Sequence, residues 1–116
     1  MLQPASPVSI AWPAIIHYTG QDELAFVADQ AHWDHDPAWH RFQYRETDQL
    51  IDADGRICRL RNANGIALPV PTGRYASLHE IIDLVRMHAA RTGSCCISKY
   101  FAPSIKDAIL AVPGFD

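Results

Sequence analysis

The densest group of side chains able to hold a metal ion or move a proton runs His32-Trp33-Asp34-His35-Asp36-Pro37-Ala38-Trp39-His40. On a helix, His32 and His35 would share a face and Asp36 would lie beside His32 one turn on, the start of a site for zinc or another divalent cation. The H-E-x-x-H spacing of metalloproteases is missing, and so is a cysteine pair to complete a structural site. A solvated turn rich in His and Asp accounts for the same letters. No metal and no cofactor is therefore expected, with His32, His35 and His40 kept as the weak candidates.

A second constellation places His88 ahead of the adjacent Cys95 and Cys96, with Lys99 close behind. A thiol activated by imidazole needs both groups within hydrogen-bond reach, and a thiolate gains from a nearby cation. In a strand, adjacent side chains point to opposite faces, so only one of the two thiols can face a preceding helix. Packing is the favoured reading for both, and for Cys58. Asp52-x-Asp54-Gly55 imitates part of a calcium loop, but it puts Leu50 at the first ligand and Arg61 where a bidentate Glu is required. Arg56, Arg59 and Arg61 form a basic stripe without the interleaved aromatics of a nucleic-acid groove, which argues against that partner.

The aromatic segment is different. Trp33, Trp39, Phe42 and Tyr44 crowd into twelve residues of otherwise polar sequence and make up four of the eleven aromatic side chains. Large aromatics with polar neighbours suit a binding surface, although the favoured reading is that they cover one end of the sheet as core.

These groups hang on a recognisable series of elements. Ala14 to Tyr18 and Leu24 to Ala28 read as a first strand pair around a turn at Thr19-Gly20-Gln21-Asp22, with a helix over Glu23 to Ala31 as the alternative. A short helix interrupted at Pro37 follows, because proline disfavours the helical conformation in the residue before it. Asp54-Gly55 and Asn64-Gly65 both suit two-residue hairpin turns, so a three-stranded meander is expected over residues 48–70. The first turn then pairs Ile51 with Cys58, Gln49 with Leu60, Leu50 with Arg59, Asp52 with Ile57 and Asp48 with Arg61. The third strand, Ile66 to Val70, holds Pro69 and precedes Pro71, so it belongs at a sheet edge or ends early. Ser77 and Glu80 form a capping box for a helix from Leu78 to about Arg91, apolar at Leu78, Ile81, Ile82, Val85 and Ala89 and stopped by Gly93. A strand from Cys95 to Tyr100 and a short helix capped by Ser104 complete the chain. The expected fold class is α+β: a small mixed, partly antiparallel sheet, a hairpin plus a three-stranded meander, with one long helix packed on a face. A β-grasp-like arrangement fits this order.

The stretches Leu50-Ile51-Asp52-x-Asp54-Gly55, Leu84-Val85-x-x-His88-Ala89 and Gly93-x-Cys95-Cys96-x-x-Lys99 together resemble an uncharacterised family of small proteobacterial proteins, a domain of unknown function. The resemblance covers most of the chain from about Ile10 onward. It implies a bacterial cytosolic protein and no particular chemistry.

Size and composition agree with one domain: 116 residues, 48% apolar and 20% charged. Residues 1–9 read as a flexible lead and residues 10–116 as a single α+β domain. The net charge of -3 conceals an acidic first half, with eight acids against Arg41 and Arg45 in residues 1–52, and a basic remainder. Mutual neutralisation across the fold explains the division. No signal peptide and no membrane span is apparent, and three cysteines without a C-x-x-C spacing suit a reducing, cytoplasmic setting. The function expected is that of a non-enzymatic domain binding a protein or small molecule, with residues 33–44 as contact region and no membrane partner. The rival is a metal-binding or Cys/His-dependent enzyme built on His32, His35 and His40, or on His88 with Cys95 or Cys96.

Overall fold

The computed structural model describes residues 9–93 and 99–115. Five strands, β1 (Ala14–His17), β2 (Leu24–Val27), β3 (Gln49–Ile51), β4 (Arg56–Ala63) and β5 (Ile66–Tyr75), form one sheet in the order β2-β1-β3-β4-β5. Every pairing among them is antiparallel. The domain is α+β, as its element order implies, but these pairings lack the parallel central pair of a β-grasp sheet. Strands β1 and β2 form the expected hairpin, which displaces the helical alternative over Glu23 to Ala31.

The Asp54-Gly55 turn corrects the expected register by one residue. Gln49 faces Arg59, Leu50 faces Cys58 and Ile51 faces Ile57, so neither the Ile51–Cys58 pair nor the Asp48–Arg61 pair forms. The cause is Asp52, whose Oδ1 accepts the N–H groups of Asp54 (3.0 Å) and Arg56 (2.9 Å) while its carbonyl accepts that of Gly55 (2.9 Å). This side-chain bonding widens the loop to Ala53, Asp54 and Gly55, of which only Gly55 is left-handed, at φ 84°. At Asn64-Gly65 both residues have positive φ and Ala63 faces Ile66, the expected two-residue turn. Strand β5 lies at the edge but runs on to Tyr75. Pro69 and Pro71 stay in register with Leu60 and Cys58, and at the irregularity that follows them the Thr72 hydroxyl donates to the Ile57 carbonyl at 2.7 Å.

A one-residue shift in register exchanges the faces of a strand. On one face, Ile15, Ile51 and Ile57 lie under helices α3 (Leu78–Arg91) and α4 (Ile105–Ala111) and a closing 3-10 turn over Val112–Phe115. The α3 cap is as expected: Ser77 Oγ accepts the Glu80 N–H and Glu80 accepts the Ser77 N–H. Its buried Ile81, Ile82 and Val85 each contribute about 1.5–3 kcal/mol on leaving water. On the opposite face, Ile16, Leu50, Cys58 and Leu60 lie under α1 (Gln30–His35), α2 (Pro37–Arg41) and the aromatic residues around them.

Asp36 both ends α1 and caps α2 through its bond to the Ala38 N–H, and Pro37 opens α2 in the first-turn position that proline tolerates. The helical conformation therefore resumes at Pro37 and runs through Pro37–Arg41. The expected lead at residues 1–9 lies, except for Ser9, outside the described residues. So does the expected strand from Cys95, except for Lys99 and Tyr100, which belong to no strand. Among the described residues no helix is long and apolar enough to cross a membrane.

Candidate functional site

Of the four aromatics of residues 33–44, Trp33 is buried, Trp39 and Tyr44 are half-buried, and Phe42 is exposed. Trp33 is 4% exposed and stacks on Trp39 with ring centres 6.1 Å apart, both resting on the Leu50 and Leu60 face of the sheet. The Trp39 indole N–H is buried and has no hydrogen-bond partner among the described residues. Phe42 is 45% exposed, and its ring meets Tyr18 edge-on at 5.0 Å and Tyr44 at 4.9 Å.

Two polar side chains fix this outer end: Asn62, which the sequence did not single out, and Asp48, which the expected register paired with Arg61 instead. Asn62 on β4 accepts the Tyr44 N–H (2.9 Å) and donates to the Phe42 carbonyl (2.8 Å), clamping the backbone on both sides of Gln43. Asp48, 2% exposed, accepts the N–H and hydroxyl of Thr19, both at 2.7 Å, and the Arg45 N–H at 2.7 Å. Burial pushes the Asp48 carboxyl up, but these bonds and the Arg45 charge together outweigh it and hold it below the usual carboxylate range. The Tyr18 and Tyr44 phenols move the other way, raised chiefly by burial. Both phenols therefore stay neutral.

Between the two braced segments opens a cleft of about 510 Å³, lined among others by Tyr18, Thr19, Glu23, Phe42, Gln43 and Arg45. Arg45 is exposed and, although its charge acts on Asp48, it has no carboxylate within ion-pair distance among the described residues, so the cleft offers an aromatic wall beside a guanidinium. No signal in the sequence joins its two halves, because Thr19 and Asp48 meet across 29 positions.

His32 and His40 bond backbone groups. His32 Nδ1 accepts the Ala28 N–H at 3.0 Å while its ring lies edge-on to Trp39. His40 Nδ1 accepts the Ala67 N–H at 3.0 Å and its Nε2 donates to the Trp33 carbonyl at 2.8 Å. His35 is exposed at the end of α1. Among the described residues no three His, Cys, Asp or Glu side chains gather around a point where a metal ion could sit. His88 is buried and accepts the Leu24 N–H at Nδ1, 2.9 Å away. Cys95 and Cys96, its proposed partners in thiol chemistry, lie outside the described residues. Cys58 is fully buried, and burial, with the Asp52 charge adding to it, pushes its thiol up to about 11. Asp52 is a buried turn brace, whose Oδ2 also accepts the Ala11 N–H at 3.1 Å.

Known proteins add a family and no activity. An NMR structure of a protein from Shewanella amazonensis matches over 100% of this chain and 99% of its own, with a TM-score of 0.69 and 25% sequence identity. No curated protein matches the chain. The model of DUF4144, described as a protein structure with unknown function, matches residues 12–112, and the chain belongs to that uncharacterised family.

Proposed function

We propose that the protein is a non-enzymatic binding domain and that its contact site is the Phe42 cleft. The ligand is a small molecule or a peptide end that carries an aromatic ring and an anionic group. The observation that supports this reading is Phe42 itself: a large apolar ring, 45% exposed, on a backbone that Asn62 clamps from both sides. A rigid exposed aromatic binds at small entropic cost, and it is enriched at binding hot spots for that reason. Arg45 supplies the charge that an anion would pair with. Tyr44 supports the ring from behind, while Trp33 and Trp39 form the floor and are not contact residues.

The test is an amide chemical-shift titration with N-acetyltyrosine, with N-acetyltyrosinamide as the uncharged control. Saturable shifts at Thr19, Leu24, Gln43 and Arg45, weaker with the amide and lost in Phe42→Ala, are the expected result. If neither probe moves those signals at millimolar concentration, the reading is wrong.

A further inference from the structure

We infer that the half of the sheet beside α3 that no helix of the described residues covers is a docking surface for an acidic amphipathic helix of a partner protein. This surface is separate from the Phe42 cleft and does not depend on it.

The cross-strand register defines the surface. The row Ile15, Ile51, Ile57 lies beneath α3 and α4. Two residues further along, on the same face, comes the row His17, Gln49, Arg59, Val70, followed by Arg61 opposite Leu68. None of these residues belongs to the core under α3. That helix turns away from them: its end is held at β2 by the His88 bond to Leu24 and by Arg91, 4.0 Å from Glu23.

Strand β5 carries the unusual feature. From Ile66 to Val70 it is apolar on both faces, a pattern found where a strand is covered on both. Ala67, on the aromatic side, is covered and 2% exposed. Ile66 is 47% exposed, and Leu68 and Val70 are half-buried, with no helix of the described residues packed over them on this face. A stripe from Ile66 to Val70 spans about 13 Å, which matches roughly nine residues of helix.

Charge and edge chemistry select the occupant. Arg61 has no carboxylate within ion-pair distance among the described residues, and Arg59 meets only Glu46, whose side chain is 85% exposed. A partner with acids beside its apolar stripe satisfies both arginines. Strand addition is blocked along the outer edge of β5, where the Ala67 N–H is held by His40 and Pro69 and Pro71, which point the same way, have none. A nucleic acid would want rings to stack on, and Trp12, Trp33 and Trp39 lie on the opposite side of the sheet. A helix lying flat on the face, as α3 lies on the neighbouring half, meets these constraints.

The experiment is an amide chemical-shift titration of the whole protein with a synthetic helix of about twelve residues bearing leucines at i, i+3, i+4 and i+7 and glutamates elsewhere. Its counterpart with lysine for glutamate and a single-stranded oligonucleotide are run in parallel. Saturable shifts at Arg59, Arg61 and Ile66 to Val70 are expected with the acidic peptide and none with the lysine form. Affinity should fall about tenfold or more in Arg61→Glu, and fall also in Leu68→Ser, with both variants folded by circular dichroism. The inference is overturned by no shift at those residues, by equal response to both peptides, or by indifference to both substitutions. Preference of the same residues for the oligonucleotide, or their movement on concentrating the protein alone, would replace the helix with a nucleic acid or a second copy and likewise overturn it.

Discussion

His40 Nδ1 accepts the Ala67 N–H at 3.0 Å, so a side chain of the aromatic layer caps an outward-facing amide of edge strand β5. The opposite edge is treated alike, with His88 on Leu24 at β2 and His32 on Ala28 just beyond it. An amide on an open edge is a template for another strand, and each imidazole removes one. His40→Ala should cost about 2 kcal/mol in urea melts and speed hydrogen exchange at Ala67. Asn at this position keeps an acceptor two bonds from Cβ and should restore slow exchange at Ala67 even though the bond to Trp33 is lost.

Asp48 makes the cleft wall sensitive to acid. Its carboxyl is held below the usual range in the folded protein, so its contribution is complete above the unfolded value of about 3.9 and is lost as pH falls through the lower folded value. Asp48→Asn should cost about 2 to 4 kcal/mol near neutral pH, since an amide nitrogen cannot accept the Arg45 N–H. Melts of both proteins in increasing acid should converge once the carboxyl is protonated.

Gly55 is the turn position least able to change. A Cβ there would lie 2.7 Å from the Ala76 carbonyl oxygen and 2.9 Å from Ile105, at a φ of 84°. Gly55→Ala should cost about 2 kcal/mol or more, combining strain with a backbone collision. Gly20, at φ 75° with nothing within 4 Å, carries the strain alone and should lose less on the same substitution.

The Cys58 thiol, raised to about 11, is almost wholly protonated at neutral pH. Iodoacetamide should label it far more slowly in the folded protein than in urea, as read by peptide mass mapping. Equal rates would mean that its side of the sheet opens readily.

Trp39 and Phe42 should part company in stability. Trp39→Ala removes a half-buried ring stacked on Trp33 and should destabilise about as much as Ile82→Ala, in the range of about 2 to 5 kcal/mol. Phe42→Ala should cost under about 1 kcal/mol. Denaturant melts with the opposite order would exchange the roles assigned to the two rings.

What could be read in advance was whatever local chemistry decides. The Ser77 and Glu80 box places α3 to the residue, and Asn64-Gly65 places its turn, because each is settled within four positions. Asp54-Gly55 misled because Asp52, outside the dipeptide, competes for the amides of the loop. Strand β5 outruns its prolines because Thr72 supplies a hydroxyl where the ladder is interrupted. The aromatic residues were visible as a group, but their division into floor and rim depends on Asn62, Thr19 and Asp48, which meet Tyr44 and each other across long stretches of chain. No periodicity encodes such contacts.

All three tryptophans, Trp12, Trp33 and Trp39, belong to the same side of the sheet. Intrinsic fluorescence therefore watches that layer alone and is blind to the helices on the other side, whereas far-ultraviolet circular dichroism is dominated by α3. A pair of melting curves recorded with these two signals compares the two sides of the sheet without any label. Coincident midpoints would mean that both layers dissolve as one cooperative unit, and an earlier fluorescence transition would mean that the aromatic layer peels away first.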